Sequence, residues 1–142
     1  MIWICKWFKK RTKKKIMVVE TNIEEMTISE LVFCLEVNSY RRKLGLNELE
    51  LNGHLLTLAK HRMAYWTTND IKKNLHFEFF GDRKPYLENG FKLVLELANY
   101  GIVNDFESFK KSPEHNEGIL IKELKYIAVS MKGYWCCVIL GY

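Results

Sequence analysis

Apolar residues recur at helical spacing twice in the first half of the chain and collect into strand-like runs only at its end. Thr27-Ile28-Ser29-Glu30 has the form of a capping box, in which the threonine and glutamate side chains satisfy each other's backbone N–H groups. Ile28, Leu31, Val32 and Leu35 follow at helical spacing up to Gly45, which predicts a first core helix with that stripe buried. A short connection, Leu46 to Leu51, leads to Asn52 as a second N-cap, and Leu55, Ala59, Met63 and Trp66 form the buried stripe of a second helix that frays near Thr67-Thr68-Asn69.

Between Asp70 and Tyr86 the periodicity is lost. Gly81-Asp82-Arg83-Lys84-Pro85 reads as a turn, so a loop-rich segment with a short strand at Leu75 to Phe80 is expected there. Leu87, Phe91, Val94, Leu95 and Ala98 predict a third amphipathic helix ending at Tyr100-Gly101, and Val103 to Lys111 a further short one. Ser112-Pro113-Glu114-His115 then opens a new helical turn, with Ser112 as cap, Pro113 at the first helical position and His115 near the positive end of the dipole. Tyr126 to Met131 and Tyr134 to Leu140, rich in β-branched and aromatic residues, flank Lys132-Gly133 as a terminal antiparallel hairpin. Helices first and strands last give an α+β chain.

Charge divides the chain. Seven of its 22 Lys/Arg lie in residues 1–15, where there is no acid; 15 basic and 17 acidic residues remain, a net charge of −2. Residues 1–26 are therefore read as a flexible basic, aromatic leader and 27–142 as one domain, long enough for a core without disulfide or metal support. The basic residues cluster outside the domain, which argues against nucleic acid as a partner. Trp3, Trp7 and Phe8 beside the lysine-rich run suit weak contact between residues 1–15 and an anionic membrane surface, although the segment is too short to span a bilayer and is no recognisable signal peptide. Cys5, Cys34, Cys136 and Cys137 lack zinc-ribbon or Cys-x-x-Cys spacing and read as free thiols, the last two pointing oppositely if they lie in a strand.

Taken in order, Val37-Asn38-Ser39-Tyr40-Arg41, Gly45-Leu46, Leu49, Asn52, Leu55, Ala59, Leu75-His76-Phe77, Glu88-Asn89, Ser112-Pro113-Glu114-His115 with Ile119-Leu120, and Gly133-Tyr134-Trp135 resemble the CAP superfamily. This is the group of cysteine-rich secretory proteins, antigen 5 and plant pathogenesis-related proteins, here in its compact bacterial form, the SCP domain. The resemblance covers roughly residues 31–142. It implies a three-layer α-β-α sandwich whose cleft gathers two histidines, matched by His76 and His115, and the glutamate of a Glu-Asn motif, matched by Glu88. It also implies a mostly secreted protein. Gly90, Glu114 and Phe109 depart from the family pattern, and Glu107 is only a nearby candidate for its second glutamate.

Two readings of His76, Glu88 and His115 stand side by side. Two neutral imidazoles and a carboxylate can hold Zn²⁺ with a water in the fourth position, the arrangement of a metal-dependent hydrolase, with His76 and His115 as metal ligands. Alternatively the three form a hydrogen-bonded cluster that ties loop, helix and Ser-Pro turn together, with Glu88 helping to keep the imidazoles charged. There is no His-Glu-x-x-His signature, Ser112 serves its cap, and no Gly-x-Ser-x-Gly elbow occurs. The expected function is a non-enzymatic binding or interaction module with a His/Glu-lined cleft for a small molecule, lipid or protein; a hydrolase at that cleft, or a membrane-surface protein targeted by its leader, is the alternative.

Overall fold

The helices lie on the two faces of a single four-stranded sheet. The computed structural model describes residues 18–142; the proposed membrane contact of residues 1–15 lies outside them. After a 3-10 turn, Ile23–Glu25, come α1 (Ile28–Lys43), β1 (Glu50–Leu51), α2 (Gly53–Thr68), α3 (Phe79–Glu88), β2 (Val94–Tyr100), α4 (Phe106–Phe109), α5 (Pro113–Ile119), β3 (Tyr126–Lys132) and β4 (Trp135–Gly141). The sheet runs β1-β3-β4-β2, with β1 parallel to β3 and the other pairs antiparallel.

Strand register fixes the layers. Ala98 pairs with Cys137 and Ser130 with Cys137, so Glu96, Ala98, Cys137, Ile139 and Ala128 share one face. That face packs on α2, whose stripe of Leu55, Ala59, Met63 and Trp66 is buried as its spacing predicts. Leu97, Cys136 and Val138 line the other face, where Gly118 of α5 lies against Leu97: a Cβ on that glycine would come within 2.9 Å of Leu97 Cδ2. The architecture is the α+β, three-layer α-β-α sandwich expected.

The capping box of α1 is complete, and its glutamate does more than cap. Glu30 accepts from Thr27 N–H at 2.7 Å through one oxygen and from Met131 N–H at 2.7 Å through the other, which is why it is buried. The helix nonetheless turns a different side to the sheet from the one its apolar stripe suggests. Phe33, Cys34 and Val37 are core, whereas Ile28, Val32 and Leu35 are 80%, 45% and 68% exposed. Both sides of α1 are apolar, and spacing alone does not choose between them.

At its end α1 carries Arg41, fully buried and without a carboxylate. Its guanidinium donates to the carbonyls of Asn47, Ile119 and Ile121 and to Asn47 Oδ1, joining α1, the Gly45-Leu46 turn and the C-terminus of α5. Asn38 clasps the same connection, donating to Leu49 O and accepting from Leu49 N–H. The Asn38–Arg41 signature is thus a device for closing a loop onto two helix ends.

Two expected elements change type. Leu75 to Phe80 is no strand; left-handed Asp70, Asn74 and Glu78 turn the chain through residues 69–78 into α3. Gly81 and Pro85 lie inside that helix, where proline forfeits one ladder bond. The helix expected from Leu87 to Tyr100 does not form as one element: Leu87 belongs to α3, and Val94–Tyr100 is β2, its main chain drawn into pairing with the central strand β4. Of the short helix expected over residues 103–111, Phe106–Phe109 forms. Of the expected leader, Val18–Met26 is described: Thr21 N–H donates to Gly53 O, Thr57 donates to Val19 O, and Met26 is buried in the core.

Cys34, Cys136 and Cys137 are buried free thiols, the last two on opposite faces of the sheet. Burial, with the charge of Glu30, pushes the Cys34 thiol up to about 12, and burial likewise raises Cys136 and Cys137. Tyr86 is also pushed up to about 12 by burial, with help from Asp82.

Two outcomes follow from the core. Arg41→Met leaves three inward carbonyls without their donor and lowers stability by about 2–4 kcal/mol in urea unfolding. Because the thiols bind their protons more tightly when folded, their stabilisation is complete below the unfolded thiol range near 9 and is lost as pH rises toward the folded value. Stability therefore falls from about pH 9 upward, each buried thiol contributing roughly 1.4 kcal/mol per pH unit, and Cys34→Ala makes that fall shallower.

Candidate functional site at the free edge of β2

β2 is an edge strand, and its free side is where the two layers of helices meet. Leu93 and Tyr142 exchange both main-chain bonds at 3.2 Å, so by antiparallel alternation the main-chain groups of Val94, Glu96 and Ala98 turn outward. Arg83 from α3 donates to Val94 O at 2.8 Å, and His115 Nε2 lies 3.1 Å from Ala98 O. One side chain from each layer thus covers an edge that would otherwise offer a template for another strand.

Glu96 lies between these positions and is buried under α2. Arg62 donates to it through Nε at 2.6 Å and Nη2 at 3.2 Å, and continues to Asp82 at 2.6 Å and to the carbonyls of Leu75 and Phe77. Trp66 Nε1 also donates to Leu75 O, and the Cys137 thiol to Glu96. Burial pulls the Arg62 guanidinium down, but hydrogen bonds and charge from Glu96 and Asp82 outweigh it and hold it above its ordinary value. Arg62 and Glu96 are both 0% exposed. The ion pair carries the 69–78 segment because its remaining donors reach that segment's carbonyls.

On this foundation His76 Nδ1 meets Glu96 Oε1 at 2.9 Å, with the imidazole side chain 58% exposed. A carboxylate partner selects the tautomer with hydrogen on Nδ1 and leaves Nε2 as the acceptor. Exposed Phe77 and Phe80 lie close in sequence, and Arg83 covers the Phe80 ring at 4.6 Å.

His115 is held differently. Ser112 caps α5, placing His115 in its first turn. The ring stacks on Phe109 at 3.9 Å and 12°, with Nδ1 3.2 Å from Phe109 O and Nε2 at Ala98 O. Phe109 in turn packs edge-on against Phe33 of the core. The two histidines come from opposite layers and attach to residues two apart on β2, about 7 Å along the strand.

Glu88 is not the carboxylate at this place. It ends α3 on the exposed surface, whereas His76 precedes the start of that helix, and ten helical residues span about 15 Å. Glu96 takes the carboxylate position beside His76. A helical period hides it in the apolar run Leu93–Ala98, whereas the period-two alternation of a strand puts this one acid on an inward face. Arg62, between apolar neighbours of α2, gave the matching signal. Glu107, on α4, pairs instead with Lys110 at 3.1 Å.

Both oxygens of Glu96 are engaged and both nitrogens of His115 face main-chain carbonyls, which leaves His76 Nε2 as the outward lone pair of the trio. Among the described residues no group of three or more His, Cys, Asp or Glu side chains is arranged to hold a metal ion.

The sandwich is CAP-like in fold, on its likeness to solved structures. The chain superposes on a cysteine-rich secretory protein of Staphylococcus aureus subsp. aureus Mu50 with a TM-score of 0.65 at 17% identity, covering 84% of this chain and 40% of the staphylococcal one. It superposes on an outer surface protein of Borrelia burgdorferi with a TM-score of 0.65 at 21% identity, covering 88% of this chain and 97% of the other. No family model matches the sequence. No curated protein sequence matches it either. The chain thus spans about two-fifths of the staphylococcal neighbour and nearly all of the Borrelia one.

Truncating one partner of the buried pair tests the foundation. Arg62→Met leaves Glu96 buried without its counter-charge and destabilises the fold by about 3–5 kcal/mol, and adding Glu96→Leu restores part of that loss. Chemical unfolding of the single and double variants measures both.

Proposed function

We propose that the chain is an SCP-like domain of the CAP type that works as a binding or interaction module, with His76 as the exposed contact of its site and His115 and Glu96 as the groups that hold the site in shape. The observation that carries this reading is the oriented, exposed His76 imidazole on a fully buried carboxylate, with Phe77 and Phe80 open nearby. Exposed aromatics beside a fixed polar group are the composition of a recognition surface. The groups that would have to act as bases or ligands are occupied: Glu96 by Arg62, His115 by carbonyls. The secretory and outer-surface descriptions of the two neighbours support a role outside the cytoplasm.

A metal-dependent hydrolase is favoured by one feature. A metal-binding histidine commonly donates its second nitrogen to a carboxylate, as His76 does to Glu96. Zinc calorimetry and hydrolysis of p-nitrophenyl acetate, with and without zinc, separate the two on wild type, His76→Ala and His115→Ala. The binding reading predicts no zinc-stimulated turnover above buffer in any of the three. Stoichiometric zinc binding together with turnover that disappears in His76→Ala would overturn it.

A further inference from the structure

The stripe that spacing assigns to the core is instead an exposed apolar surface on the layer opposite His76. Ile28, Val32 and Leu35 follow one another along α1 at 80%, 45% and 68% exposure, and the loop after β2 adds Ile102 at 84% and Val103 at 54%. Exposed apolar side chains grouped along one helix of a charged domain mark a contact surface. Between α1 and that loop runs a groove of about 340 Å³. Val32, Phe33, Phe106 and Met131 line its floor, and Phe33 and Phe106 are locked edge to face with centroids 5.6 Å apart. The volume suits one or two bulky side chains.

The rim supplies the sign of the partner. Glu36 and Asp105 line the groove, and none of its lining residues is basic. Asp105 caps α4 by accepting from Ser108 N–H, and that hydrogen bond holds its carboxyl below the usual range. A second copy would bring the same acidic rim against itself in a two-fold contact, and an anionic amphiphile would meet like charge.

We infer that this groove docks a cationic peptide segment of a partner protein, seating bulky apolar side chains on the Val32–Phe106 floor while an adjacent lysine or arginine reaches Glu36 and Asp105. The surface is separate from the β2 edge, so the inference stands or falls independently of the binding role given to His76.

Calorimetry of the full chain with a short amphipathic Leu/Lys peptide tests it, with the Leu/Glu counterpart and lauric acid as comparison probes. The expected result is saturable one-to-one binding that weakens with added salt. Val32→Ser, at an exposed position, lowers affinity about tenfold, the loss of one buried aliphatic contact. Glu36→Gln with Asp105→Asn lowers it several-fold and flattens the salt dependence, asparagine preserving the helix cap. Equal binding of the Leu/Glu peptide or laurate, affinity untouched by Val32→Ser, or a dimer in sedimentation equilibrium that Val32→Ser dissolves, each overturns the assignment.

Discussion

A buried ion pair, Arg62 with Glu96, joins the parts on which the candidate site depends. Its two residues come from α2 and β2, and neither is exposed to water. Isolated, each charge would be expensive inside the sandwich; together, with every remaining guanidinium donor given a carbonyl or Asp82, they are satisfied. The same guanidinium binds the carbonyls of Leu75 and Phe77, on either side of His76. The pair thereby determines where an exposed imidazole stands, 20 residues from its carboxylate partner. Sheet pairing sets the position of Glu96, and the ion pair transmits that position to a loop.

A second buried arginine performs the corresponding task in the opposite layer. Arg41 has no acid beside it and is held by carbonyls at the end of α5 and in the turn after α1. Near the C-terminal end of a helix a cation is favourably placed, which offsets part of its desolvation. Burial without a carboxylate pulls this guanidinium below its ordinary range, the opposite of Arg62. One arginine thus fastens the loop that bears His76, and the other fastens the far end of the short helix that bears His115. Both histidines then reach β2, one through a side chain and one through a main-chain carbonyl.

Local signals in the sequence were sufficient where a cap, a turn or a single buried stripe decides the structure. The Thr27 capping box, the Asn52 cap with its Leu55–Trp66 stripe and the Ser112-Pro113 helix start form as read, and the terminal hairpin forms with its turn one residue later than expected, at Gly133-Tyr134. They failed where tertiary pairing decides. Residues 94–100 carry apolar side chains that suit either period, and only the availability of β4 as a neighbour makes them a strand. The turn-like Gly81 and Pro85 are absorbed into α3 because that helix docks against β2 and reaches Val94 through Arg83. The motifs pick out the two histidines that the fold brings to β2, but not the carboxylate beside His76, because Glu88 has the motif and Glu96 has the geometry. On α1, two apolar sides compete, and the sheet takes the one that also buries Glu30 and Arg41.

The relation between His76 and Glu96 is the most direct point at which to test the account. Long-range ¹H–¹⁵N NMR of the imidazoles, at a pH where the rings are neutral, reports which nitrogen of His76 carries the hydrogen. With Glu96 accepting at Nδ1, His76 is the Nδ1–H tautomer, and Glu96→Gln disturbs its signals while leaving those of His61, which faces Asp82, in place. An Nε2–H tautomer at His76 that ignores Glu96→Gln would contradict the site at its foundation.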